Sequence, residues 1–245
     1  DYFDPSTKLE NDEVKLLKKW DTNKEKKIIL MPGRLTPWKG QELFIEAINL
    51  VKIELGYEAF HVIILGSDQG RDLYKKKLIR LIEQYRLTNQ VKFIDHCKDM
   101  ALAYKVSDVV VSASIEPEAF GRVAVEAQSM EKLIIASNIG GSNETIVDGK
   151  TGILFESGDA KSLSKKIIDA ITMDETSLKI INKELEEKII KKIINPTMEG
   201  LLKKGSEYRG FLYTGLMIIE NEPYLIEYNV RMGDPECQTI LPRLK

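Results

Sequence analysis

Short, nearly unbroken apolar runs recur along the first two thirds of the chain, and the stretches between them have helical spacing. Lys27-Ile-Ile-Leu-Met ends at Pro32-Gly33 and predicts a buried strand closed by a tight turn. Leu43, Phe44, Ala47, Ile48 and Val51 then fall on one face of a helix from Gly40 to Leu55. Phe60-His-Val-Ile-Ile-Leu reads as a second strand ended by Gly66. A helix marked by Leu73, Leu78, Leu81, Ile82 and Tyr85 follows it. Val91-Lys-Phe-Ile, Val109-Val-Val, Leu133-Ile-Ile-Ala and Gly152-Ile-Leu-Phe continue the strands. Helices at Ala101 to Val106, Val123 to Met130 and Ala160 to Ile171 alternate with them. Strict alternation with strands apolar at nearly every position predicts an α/β, Rossmann-like parallel sheet with helices on both faces. Such sheets bind ligands in the loops beyond the carboxyl ends of their strands.

The pattern changes near residues 172–187. Ser177 to Ile194 is a charged stretch of helical spacing that Asn195-Pro196 is expected to stop. Phe211-Leu-Tyr-Thr-Gly-Leu-Met-Ile-Ile and Tyr224-Leu-Ile-Glu-Tyr-Asn-Val flank a turn expected at Asn221-Glu-Pro, which predicts an antiparallel β-hairpin. The expected division is therefore residues 1–175 and residues 176–245, the second a charged helix followed by the hairpin. No repeat of fixed period runs through either part.

Composition narrows the classes. The 245 residues suffice for one large or two ordinary domains, and 43% hydrophobic with 30% charged residues fits a globular protein. A formal net charge of -2 gives no electrostatic case for nucleic acid as partner. Cys97 and Cys237 have no second Cys or His at metal spacing and read as reduced thiols of a cytosolic protein. No apolar run reaches the roughly 18–20 residues of a membrane helix. Asp1-Tyr-Phe-Asp-Pro-Ser has no signal-peptide pattern and reads as the interior of a longer sequence. The expected location is cytoplasmic, with peripheral attachment at the inner face of a membrane as the alternative.

The polar groups that could do chemistry lie in the loops after the strands. Gly33-Arg34-Leu-Thr-Pro-Trp-Lys39-Gly40 places two cations in a glycine-bounded loop that leads into a helix start, which favours an anion. The same residues also fit an ordinary solvated loop. Gly66 fits a plain turn or a close backbone approach of a ligand. Glu118 and Glu126 are eight residues apart, about 12 Å on a continuous helix. They are too far apart to share a proton, but they could hold two ends of an elongated ligand. Asn138-Ile-Gly140-Gly141-Ser-Asn-Glu144 is a backbone-rich anion nest or a simple turn. His61 reads as a strand residue at the edge of the core, and His96 as an exposed loop residue.

In chain order, Gly33-Arg34…Lys39-Gly40, Gly66-Ser67, Ser114…Glu118-Ala-Phe-Gly…Glu126-Ala, Gly140-Gly141…Glu144 and Asp148-Gly-Lys-Thr-Gly152 resemble a known set. It is that of the C-terminal, donor-binding domain of retaining GT-B glycosyltransferases, family 4, also called group 1. The resemblance covers about residues 1–175. It implies a nucleotide-diphosphate sugar as donor, a glycan or lipid acceptor, a separate N-terminal acceptor domain and no metal or other cofactor for glycosyl transfer. By the resemblance, Arg34 and Lys39 contact the diphosphate, Glu118 meets the donor sugar, and Glu126 binds the ribose hydroxyls. Gly33, Gly66, Phe120, Gly121, Gly140 and Gly141 line the donor. Asp95 stands where this family often has glycine after the third strand, and Glu131 where glycine often precedes the fifth.

The tail resembles a second family. Ile193-Ile-Asn-Pro-Thr-Met-Glu-Gly, Tyr208-Arg-Gly-Phe-Leu-Tyr-Thr-Gly, Ile226-Glu-Tyr-Asn-Val-Arg-Met-Gly-Asp-Pro-Glu-Cys-Gln and Leu241-Pro-Arg-Leu-Lys245 are similar to an internal piece of phosphoribosylamine–glycine ligase. That is an ATP-grasp enzyme of purine biosynthesis, and the similarity covers about residues 183–245. It implies Mg²⁺ and ATP as cofactors, with Glu227 and Asn229 as oxygen ligands of the metal. Together the two resemblances imply a chimera joined near Ile180-Ile-Asn-Lys-Glu. The expected function is glycosyl transfer from the donor half alone, idle without its partner domain. The alternatives are a partial ligase and a non-catalytic nucleotide-binding module.

Overall fold

The computed structural model describes Phe3 and residues 10–56, 59–70, 72–172, 187–206, 213–219 and 222–229. By internal contacts the chain divides into two compact units, Phe3–Met173 and one of Asp1–Tyr2 with Asp174–Lys245.

In the first unit the strands are β1 Lys27–Pro32, β2 Phe60–Leu65, β3 Val91–Ile94, β4 Val109–Ser112, β5 Leu133–Ser137 and β6 Ile153–Phe155. They form one parallel sheet in the order β3-β2-β1-β4-β5-β6. The helices are α1 Glu10–Lys19, α2 Gln41–Leu55, α3 Asp72–Gln84, α4 Met100–Val106, α5 Arg122–Ser129, α6 Ser142–Thr145 and α7 Ala160–Thr172, with a 3₁₀ turn at Pro37–Lys39. Alternate residues of each strand feed two cores. Ile29, Met31, Val109, Val111 and Ile135 join residues of α2, α3 and α7 on one face. Ile28, Leu30, Val110, Ile134 and Ala136 join Leu17, Trp20 and residues of α4 and α5 on the other. Burial on both faces is why these strands read as continuous apolar runs rather than alternating ones. The sheet is wound outward in both directions from β1 and β4, so their carboxyl ends open a crevice where the chain leaves in opposite directions.

Helix α1 was absent from the pattern. Its sequence is mostly charged, and it is held by Leu17 together with Trp20 just beyond its end, both in the core. Glu131, between α5 and β5, has φ +54°, a left-handed conformation that costs an L residue about 1–2 kcal/mol. Glu131→Gly is expected to raise stability by about 0.5–1 kcal/mol, since relief of that strain exceeds the entropy lost by glycine. A denaturant midpoint that stays put or falls would contradict this.

The described part of the second unit departs from expectation at two places. The helix does not stop at Asn195-Pro196. A π-helical segment, Ile190–Ile194, leads directly into α8, Asn195–Lys203, with Pro196 in its first turn. Proline is accommodated within this continuous helical run because the wider π turn relieves the clash of its ring with the preceding carbonyls. The hairpin strands are β7 Tyr213–Ile219 and β8 Glu222–Asn229, antiparallel, so Glu222 and Pro223 belong to the strand rather than to the turn. A two-stranded sheet has only edge strands, where a proline need not donate to a ladder. Lys188 and Lys192 pair with Glu222, and the Lys192 hydrogen bond holds that carboxyl below the usual range. Residues 177–186 of the predicted charged helix lie outside the described residues, as do Phe211, Leu212 and Val230 of the predicted strands.

Candidate functional site

The loop after β1 is built by close backbone approaches. Gly33 N–H donates to Leu65 O at 2.8 Å and Leu35 N–H to Ser67 O at 3.1 Å, which ties it to the loop after β2. A Cβ on Gly66 would lie 1.9 Å from the Gly33 carbonyl oxygen, so the space freed by that glycine is filled by the neighbouring loop. The other end is tied to the loop after β4, where Ile115 N–H donates to Trp38 O at 2.8 Å. Gly40, the residue before α2, has φ +74°, and a Cβ there would lie 1.8 Å from Ala113 O. Buried Gln41 donates its side-chain amide to Arg34 O at 2.8 Å and accepts from the Tyr74 hydroxyl at 3.2 Å. These contacts hold Arg34 and Lys39 at the mouth of the β1/β4 crevice.

Lys39 and Glu118 meet there. Lys39 Nζ is 2.7 Å from Glu118 Oε1, and the two side chains are 13% and 17% exposed. The Ser114 hydroxyl donates to the same oxygen. Lys39 also lies over the Trp38 ring, 4.6 Å from its centroid, a cation–π geometry. Arg34 is exposed and has no side-chain partner among the described residues. Charge pairing thus joins one of the two predicted diphosphate cations to the predicted sugar carboxylate, a contact that sequence spacing did not disclose.

Helix α5 begins just beyond this pair. Gly121 precedes it with φ +69°, no side chain caps it, and Phe120 is exposed beside it. Its first N–H groups are therefore left for an anion or for solvent. Gly140 and Gly141 pack against this segment. A Cβ on Gly140 would lie 2.7 Å from Glu118 O, and one on Gly141 2.8 Å from Phe120 Cα, while Gly141 N–H donates to Glu118 O at 2.7 Å. The glycine pair supports the Glu118–Phe120 backbone, and the four-residue α6 follows it.

Glu126, further along α5, accepts a 2.8 Å hydrogen bond from the Tyr104 hydroxyl of α4. Burial first, and then the charge of Glu126, pushes the Tyr104 phenol far up, so it remains a donor. Asp95 pairs with Lys75 at 2.6 Å, which fills the position where the family often has glycine with an ion pair. His61 lies in β2, and His96 is exposed. Sequence reasoning missed Gln41, Tyr104 and the role of Ser114; only Ser114 had a signal, as the residue just past a strand end.

In the second unit, Glu227 and Asn229 occupy alternate positions on one face of β8, and their side chains lie outside the described residues. Among the described residues no group of three His, Cys, Asp or Glu could hold a metal, and no helix is long and apolar enough to cross a membrane.

A doubly wound parallel sheet with cations, carboxylates and a free helix start at its switch point defines a Rossmann-like unit built for an anionic ligand. Residues 12–187 match the family described as glycosyl transferases group 1, and the chain belongs to that family. The fold is that of the GT-B glycosyltransferases. A glycosyltransferase from Rickettsia africae is 36% identical with a TM-score of 0.69, matched over 73% of this chain and 46% of its own. HepE from Anabaena, solved with UDP and glucose, is 29% identical with a TM-score of 0.64, over 73% of this chain and 47% of that one. The C-terminal domain of the group 1 family protein LpcC from Francisella tularensis is 28% identical with a TM-score of 0.59, over 74% of this chain and 89% of that domain.

Curated relatives add the second likeness. The phosphoribosylamine–glycine ligase of Agrobacterium fabrum is 34% identical over 152 residues, 62% of this chain and 32% of the ligase. Other such ligases match over 63 to 117 residues, 26% to 42% of this chain, and are 36% to 49% identical there. The ligase likeness is therefore partial. The chain spans about a third or less of these ligases, and under half of the first two glycosyltransferases.

Proposed function

We propose that the Phe3–Met173 unit is the donor half of a retaining glycosyltransferase that takes a nucleotide-diphosphate sugar, the acceptor being a glycan or lipid held by a further domain. The observation that carries this reading is the Lys39–Glu118 pair at the β1/β4 crevice, beside unpartnered Arg34 and the uncapped start of α5. The UDP and glucose held by HepE supply the ligand class. In this reading Arg34 and Lys39 face the diphosphate, Glu118 the sugar, Glu126 the ribose, and the Phe120-Gly121 backbone the sugar and phosphates. The bond between the anomeric carbon and the diphosphate oxygen breaks, and the diphosphate leaves with the electron pair. The acceptor oxygen joins the sugar, and its proton passes to the departing diphosphate oxygen. Two cations and a helix start positioned in advance stabilise the charge that develops on the leaving group.

Arg34→Ala tests the assignment. Titration calorimetry should show binding of a nucleoside diphosphate about tenfold weaker, with nucleoside binding unchanged. Equal losses for both ligands reject the role. The full chain by itself is expected to bind a nucleotide sugar weakly and to transfer nothing; measurable transfer from a labelled donor would overturn that.

The ligase relatives favour a second reading, for the tail. We propose that it is a ligase segment fused to the glycosyltransferase unit, without ligase activity of its own. Glu227 and Asn229 would be the residues to hold Mg²⁺, and they offer it too few oxygens unless ATP phosphates and water add theirs. When bound, the metal would neutralise those phosphates. Mg²⁺-dependent ATP binding that disappears in Glu227→Ala would show instead that the segment still works.

A further inference from the structure

Tyr104 is buried completely, and its hydroxyl donates to a carboxylate on another helix. A buried phenol needs only one acceptor. A backbone carbonyl would serve, without the cost of partly desolvating a charge. The Tyr104 end is fixed from several sides. Asp99 caps α4 through Leu102 N–H at 2.9 Å, and the Ser107 hydroxyl donates to Tyr104 O at 2.7 Å. The Phe3 ring packs on Tyr104 with centroids 6.0 Å apart. The Glu126 end is also fixed, because Gln128 on α5 donates to Thr145 O at 3.1 Å and to Thr151 O at 3.0 Å. Tyr104 takes Glu126 Oε2, and Oε1 has no partner among the described residues.

We propose that Tyr104 is a positioning residue, which clamps one oxygen of Glu126 so that the other is held ready for a vicinal diol such as the ribose of the donor nucleotide. This rests on the reading of Glu126 as the ribose ligand. A glutamate free to rotate must be frozen when a diol binds, and that cost falls on affinity; the clamp removes it during folding. The phenol stays protonated at any physiological pH and so remains a donor to Glu126.

The experiment uses the full chain with Tyr104→Phe, Glu126→Gln and the double variant, titrated with UDP and with 2′,3′-dideoxy-UDP. GDP and ADP with their dideoxy forms are run in parallel. Tyr104→Phe keeps the ring and its packing. It is expected to weaken the ribonucleotide about five- to tenfold and to leave the dideoxy nucleotide unchanged. The double variant should bind no more weakly than Glu126→Gln, because a clamp has nothing to add once its carboxylate is gone. If Glu126→Gln weakens both nucleotides alike, or no wild-type binding is seen, the ribose assignment itself fails. If Glu126→Gln discriminates between them and Tyr104→Phe does not, the clamp alone is rejected. Equal losses from Tyr104→Phe for both nucleotides reduce Tyr104 to a core residue and also reject it.

Discussion

Gly40→Ala is expected to destabilise the Phe3–Met173 unit by at least about 3 kcal/mol and to abolish nucleotide binding under conditions where the chain is still folded. Two costs combine. At φ +74° an L residue carries left-handed strain of about 1–2 kcal/mol. Its Cβ would also lie 1.8 Å from Ala113 O, a backbone atom at the end of β4 that no rotamer change can move. Relief requires the 3₁₀ turn and the β4 end to part, which breaks the 2.8 Å Ile115–Trp38 hydrogen bond and separates Lys39 from Glu118. Gly158→Ala is the control. It has φ +80° and open space around its Cβ, so it bears the strain alone and should cost about 1 kcal/mol. Urea unfolding of both variants decides the matter, and similar midpoints would remove the close approach as the reason for glycine at position 40.

Much of the sheet was legible because burial on both faces leaves a simple trace. Ile28-Ile-Leu-Met and Phe60-His-Val-Ile-Ile-Leu could hardly be anything but core strands. Helix α1 left no such trace, since a mostly charged segment sends only a few residues, chiefly Leu17 and the following Trp20, to the core. Pro196 misled because proline usually ends a helix, whereas here the π turn before it makes room for its ring and the helical run continues, and sequence alone does not show that turn. At the site, glycines at strand ends were visible, whereas their reasons were not. Gly66 makes room for Gly33, and Gly140 for the Glu118 backbone, partners 33 and 22 residues away in sequence and hence beyond any local pattern. Tyr104 is the sharpest case. It lies in a short apolar helix, and periodicity there reports at most that a side chain is buried, not which acceptor its hydroxyl finds.

Replacing Glu118 by Gln is expected to act in opposite directions on two ligands. In the free chain Glu118 Oε1 holds Lys39 at 2.7 Å and also accepts from Ser114, so the lysine charge is partly spent before any ligand arrives. Neutralising the carboxylate releases that charge to a diphosphate. Glu118→Gln should therefore bind UDP a few-fold more tightly, while UDP-glucose loses its advantage over UDP because the acceptor for the sugar hydroxyls is weakened. Lys39→Met should weaken both ligands about 10- to 100-fold, the loss of one charge-assisted contact of about 1.5–3 kcal/mol. It should also destabilise the unit, because it leaves a mostly buried carboxylate with only the Ser114 hydroxyl. The pair is neither sealed nor solvent-exposed, so a double-mutant cycle by urea unfolding should give a coupling of about 2 kcal/mol, between the surface and deeply buried limits. A Glu118→Gln variant that weakens UDP and UDP-glucose equally would mean that the carboxylate only props up the loop. Tightening for UDP alone places Glu118 between the lysine and the sugar.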